Sequence, residues 1–207
     1  MEAEIALDRA AVLVRAPLPD VLAALSPFAP GEPVIDATGS LERGVGVDAL
    51  APPRDGGRRA LLFKRRGAAY ATIIREGDPR AVHDVPLARR LSKVLSAPAV
   101  ALQVSGSDVT YELFHGGRCL ESWLCLSGEV VHAESAFVLD PTTAARDPYG
   151  RALAVLAGYG FEDDRLAFPD FARGDLVMRR WDVTIGRAYV FMDLAPWPQA
   201  ELLQAVA

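Results

Sequence analysis

Apolar and polar positions alternate along residues 99–126, and two turns fix the register of that alternation. Gly116-Gly117, read as a two-residue hairpin turn, pairs His115 with Arg118, Leu113 with Leu120 and Glu112 with Glu121. Gly106-Ser107 as the preceding turn pairs Val104 with Val109, Leu102 with Tyr111 and Val100 with Leu113. Both assignments collect Val100, Leu102, Val104, Val109, Tyr111, Leu113, Leu120 and Leu124 on one face. The other face takes Ala101, Gln103, Thr110, Glu112, Phe114, Cys119, Glu121, Trp123 and Cys125. A slip of one residue would invert every side chain, so the agreement predicts an antiparallel meander with one core face.

Helical spacing replaces alternation elsewhere. After a strand-like run at Ala10–Ala16 and Pro17, Leu18, Val21, Leu22 and Leu25 fall at i, i+3, i+4 and i+7. Pro86–Ser96 has Pro in its first turn and Leu87, Leu91, Val94 and Leu95 on one stripe. Leu61–Phe63 and Tyr70–Ile74 read as strands joined near Arg66-Gly67. Residues 29–59 are rich in Gly and Pro with little periodicity, and Ala51–Gly57 is a loop. Gly77-Asp78-Pro79 reads as a turn. Further along, Asp140-Pro141 and Asp147-Pro148 resemble helix starts. A stripe through Tyr149, Leu153 and Leu156 stops at Gly158 or Gly160. Strands are expected at Leu176–Val183 and Ala188–Leu194, and a short helix after Pro198.

These elements give an α+β fold: an antiparallel sheet packed with two or three amphipathic helices, in a single domain over 1–207. Both main helices end in Leu-Ser and a proline (Leu25-Ser26-Pro27, Leu95-Ser96-Ala97-Pro98), and a strand pair follows each. That repetition raises a duplicated α-β-β unit as an option.

Composition adds limits rather than chemistry. With 51% hydrophobic and 24% charged residues, the chain can hold a core without disulfides or structural metals. The start, MEAEIALDRA, lacks the layout of a secretory signal, and no apolar run nears the roughly 18 residues of a membrane span. Cys119 and Cys125 on one strand would stand about 20 Å apart, beyond disulfide reach. A reducing, cytoplasmic setting is expected. The net charge of −5 hides a basic stretch, 51–95, with 11 basic and 4 acidic side chains. However, 20 of the 22 basic residues are Arg, and with abundant Ala, Gly and Pro this bias points to a GC-rich, bacterial coding sequence.

Motif chemistry is sparse. His132-Ala133-Glu134 matches the H-x-E of zinc deaminases but has no P-C-x-x-C, so it reads as an exposed polar turn or strand. The three histidines and two cysteines lack the short paired spacings of zinc ligands, and no metal or cofactor is expected. There is no G-x-S-x-G elbow, and Gly44-Val45-Gly46 is not a phosphate fingerprint. Arg58-Arg59, Lys64-Arg65-Arg66, Arg89-Arg90 and Lys93 could converge on phosphates, yet no nucleic-acid-binding signature accompanies them.

By elimination the expected function is non-enzymatic recognition of another protein, regulatory or toxin-neutralising. The alternatives are an enzyme or small-ligand binder built from scattered residues, and anion or nucleic-acid binding through 51–95. The register singles out one candidate binding site. Glu112 directly opposite Glu121 would be a repulsive pair, flanked by Cys119, Trp123 and Phe114. It would be relieved by splaying into water, by an Arg from 58–66 or Arg179 and Arg180, by a shared proton, or by a bound cation or cationic partner group.

Overall fold

The computed structural model describes residues 9–28, 34–52, 59–75, 84–105, 108–135, 154–161 and 185–192. Within them, aliphatic runs without a polar face become the inner strands. In β3 (Ala60–Arg65) and β4 (Ala71–Arg75) the first four residues of each are all buried. Continuous burial of this kind means that both faces of the sheet are covered. β1 (Arg9–Val14) lies between β4 and β5 (Ala99–Ser105) and pairs antiparallel with both. β6 (Asp108–His115), β7 (Arg118–Leu126) and β8 (Glu129–Ser135) extend the sheet on one side. β9 (Ile185–Phe191) and β2 (Val34–Asp36) complete the other. The order is β2-β9-β3-β4-β1-β5-β6-β7-β8, and every neighbouring pair is antiparallel. The α+β class with an antiparallel sheet therefore holds, with nine strands and a few short helices among the described residues.

α1 (Leu18–Leu25) and α4 (Val85–Leu95) pack side by side on one face. Leu18, Val21 and Leu25 from α1 meet Leu62, Ile73, Ala101 and Phe114 in one apolar cluster. α4 is rotated from the expected stripe. Leu87, Ala88, Leu91 and Ser92 are buried, whereas Val94 is 52% exposed. The Gly117 N–H donates to the buried Ser92 Oγ at 3.3 Å, tying the helix to the hairpin tip. α4 stops at Ser96, whose left-handed φ of 49° breaks the helical ladder.

The opposite face is covered from the stretch that showed little periodicity. α2 (Thr38–Glu42) and α3 (Val47–Leu50) place Leu41 and Val47 in a second cluster with Leu61, Phe63, Leu102, Tyr111 and Trp123. A helical turn at 154–158 adds Leu156, and Phe161 beyond it meets Tyr70 in a tilted ring pair at 5.6 Å. The Gly158–Gly160 stop is present, with Gly160 at φ +82°. Across the connection between β4 and α4, Arg75 Nη1 meets Asp84 Oδ1 at 2.6 Å, both side chains largely buried.

The β5–β6 register agrees with the sequence pattern residue for residue, from Val100 opposite Leu113 to Val104 opposite Val109. The β6–β7 register does not. His115 pairs with Arg118 and Phe114 with Cys119, but a bulge then sets Leu113 opposite Glu121 and Glu112 opposite Ser122. The extra residue on β7, Leu120, is half-buried against the cluster that holds Leu113. One added residue flips all that follows, so Trp123 and Cys125 join Tyr111 and Leu113 rather than Phe114. The turns at Gly77–Pro79 and Gly106-Ser107, the helix starts at Asp140 and Asp147, the strand at Leu176–Val183 and the helix after Pro198 lie outside the described residues.

Candidate functional site

The bulge dismantles the expected carboxylate pair. Glu112 and Glu121 do not face each other, and they project from opposite sides of the sheet. The four candidate residues separate in the same way. Phe114 is buried beneath α4, and Glu112 stands half-buried on that face. Trp123 is buried in the other cluster, and beside it Glu121 is only 1% exposed.

A buried carboxylate persists only where donors replace its water. The Tyr111 hydroxyl donates to Glu121 Oε1, and Ser135 Oγ donates to Oε2 at 3.3 Å. Tyr159 lies close enough that the Glu121 charge adds to burial in pushing its phenol pKa up. Tyr111, Glu121 and Ser135 come from three successive strands, so the network pins the end of β8 to the core. It is a positioning device. Sequence reasoning missed it because it depends on where the bulge falls.

The strand held in this way is open to solvent along its whole length. All seven residues of β8 are exposed, and Val131 at 59% is the most exposed large apolar residue described. The hairpin that presents it turns at Ser127-Gly128, both with positive φ, as the tightest hairpins require. Asp108 Oδ1 accepts the Ser127 N–H at 2.6 Å and anchors that turn to β6. Among the described residues β8 pairs only with β7. It has neither Lys nor Pro, two residues that commonly protect an edge strand, although a bulge at Val131 interrupts its ladder with β7.

The face of β6–β8 beyond α4 is polar. Ser122 lies opposite both Glu112 and Glu134, and Leu124 lies opposite Thr110 and His132. Burial pushes the Glu112 carboxyl pKa up, while the charges of His132 and Arg89 pull it back. Arg89 also donates from Nε to the Gly117 carbonyl at 3.1 Å. His132 and Glu134 thus sit on an exposed strand, and no group of three or more His, Cys, Asp and Glu among the described residues is placed to hold a metal. Cys119 and Cys125 are free thiols, the first exposed and the second buried. Burial is the main cause raising both thiol pKa values, which keeps them mostly protonated at neutral pH.

The basic stretch 51–95 is dispersed. Arg59 is buried and donates to the Ala51 carbonyl, Arg75 pairs with Asp84, and Arg89 holds Gly117. Lys64 and Arg65 line a cleft of about 460 Å³ between β3, β9 and the start of α1. Pro17, Leu18, Pro19, Gly186, Arg187 and Tyr189 make up the rest of its lining. Compared with models of protein families, with curated proteins and with solved structures, the chain finds no match.

Proposed function

We propose that this protein recognises another protein by taking up an extended segment of it along β8. The observation that carries this reading is the edge strand itself: seven consecutive exposed residues with Val130 and Val131 uncovered and a single ladder partner among the described residues. An added strand would satisfy the outer backbone groups of β8 and cover its valines, as in β-augmentation. The Glu121 network keeps the strand preformed, which lowers the entropy lost on docking.

The side chains suggest what the segment carries. Glu129 and Glu134 lie on β8, and Glu134 is on the same face as Glu112. A segment alternating apolar and basic residues would set its apolar positions on the valines and its cations toward Glu112 and Glu134. A regulatory or toxin-neutralising role fits such a surface.

The experiment compares the parent and Val131→Lys as affinity baits in the native host, and then follows amide exchange of β8 in the captured complex. The substitution is at an exposed site and should change folding stability by less than about 0.5 kcal/mol. A partner retained by the parent, lost by the variant and protecting β8 amides supports the reading. A partner held equally by both, with β8 unprotected, refutes it. Parent protein that dimerises through β8, and is monomeric as Val131→Lys, would make the occupant a second copy of this chain instead.

A further inference from the structure

We propose that the cleft between β3, β9 and the start of α1 binds a small organic phosphate. Its strongest support is a pair of neighbouring cations in the sheet. Lys64 of β3 and Arg187 of β9 are direct cross-strand partners, and like charges so placed repel each other. Both belong to the lining of the cleft, with Arg65 next in the chain at a bulge of the β3–β9 pair. Among the described residues no carboxylate forms a salt bridge with Lys64. An anion placed between the two strands would turn this repulsion into attraction, and a phosphate dianion matches paired cations and the guanidinium fork better than a single charge does.

The cleft is not uniformly cationic. Arg187 donates to the Tyr189 hydroxyl, and Asp36, on β2 beside Tyr189, also tempers its charge, although that carboxylate already accepts the Thr38 N–H at 3.0 Å. Asp20 lies in the first turn of α1. Three cations still line the cleft, and neither carboxylate is among its lining residues.

The opposite wall tells what the phosphate is attached to. Pro17, Leu18 and Pro19 present an apolar surface, and Tyr189 adds an aromatic side chain. Inorganic phosphate would leave this wall unused. A volume of about 460 Å³ falls within the roughly 300–1,000 Å³ of small-molecule sites. A nucleic-acid strand would need cations spread along a track, whereas Arg59, Arg75 and Arg89 of the same basic stretch are engaged within the fold. The cleft lies on the far side of the sheet from β8 and is independent of it.

Phenyl phosphate is the probe, titrated calorimetrically at low salt beside inorganic phosphate and phenol. It should bind about tenfold more tightly than inorganic phosphate, and phenol should not bind. The double variant Lys64→Gln/Arg187→Gln should weaken it by at least roughly tenfold, while Arg118→Gln, at the distant hairpin tip, leaves it unchanged. Absence of binding by phenyl phosphate, or equal binding by parent and double variant, overturns the proposal. So does a single-stranded oligonucleotide that binds more tightly than phenyl phosphate and is lost in the same double variant.

Discussion

Leu113 of β6 faces Glu121 of β7, one position away from the Leu113–Leu120 pairing that strict alternation from the Gly116-Gly117 turn requires. That single displaced residue brings a carboxylate into the core, and the Tyr111 hydroxyl and Ser135 Oγ accommodate it there. Removing one partner of a buried charge costs far more than the pair is worth in net stability.

Tyr111→Phe should therefore destabilise the fold by about 1–3 kcal/mol, since it leaves the Glu121 carboxylate short of a donor. Tyr111→Phe/Glu121→Leu should recover most of that loss. Urea unfolding of the parent, both single variants and the double variant measures the coupling. A cycle that closes with no coupling would mean that the two side chains do not interact.

Glu112 predicts a pH effect of definite sign. Its folded pKa lies above its ordinary 4.5 because of burial, so the folded state holds its proton more tightly than the unfolded one. Stability from this group is full below about pH 4 and falls as pH rises through the folded pKa. Glu112→Gln should accordingly be more stable than the parent at pH 7, with the two converging at pH 4. Thermal melts across that range test it, and a variant less stable than the parent at pH 7 would reverse the sign.

Asp36 should act in the opposite sense. Hydrogen bonds from Thr38, then the Arg187 charge, hold its carboxyl below the ordinary 3.8. Its contribution is present at neutral pH and lost as pH falls from about 4 through its folded pKa. Asp36→Asn should narrow the gap to the parent only below pH 4. A gap that stays constant down to pH 2 would show that the charge of Asp36 plays no part.

The Arg75–Asp84 pair closes the connection between β4 and α4 with both side chains largely buried. Asp84→Ala should cost about 3 kcal/mol by leaving the guanidinium without this counter-charge. Chemical denaturation gives the value, and a loss below about 0.5 kcal/mol would place the pair in effectively aqueous surroundings.

Thiol labelling separates the two cysteines. A disulfide reagent should modify one thiol per folded chain, Cys119, more slowly than free cysteine because partial desolvation and the nearby Glu112 charge keep that exposed thiol protonated. Cys125 should react only on unfolding. Two thiols reacting at one rate in the native protein would put Cys125 at the surface.

Elements whose pattern is local could be read from the residues alone. Alternation around Val100–Val104 and Val109–Leu113 set the β5–β6 register, glycine marked the Gly67 and Gly116-Gly117 turns, and helical spacing located α1 and α4. Tertiary structure decided what no window of residues contains. A bulge requires only one extra residue, and its position follows from which face can bury Trp123 and Cys125 with Tyr111. The helix α4 buries Ser92, whose hydroxyl meets the Gly117 N–H of a hairpin tip distant in sequence. Lys64 met Arg187 because β9 returns from far along the chain to lie between β2 and β3. Local periodicity records which side of an element is apolar. Packing between distant segments chooses which polar groups share a face, and both candidate sites depend on that choice.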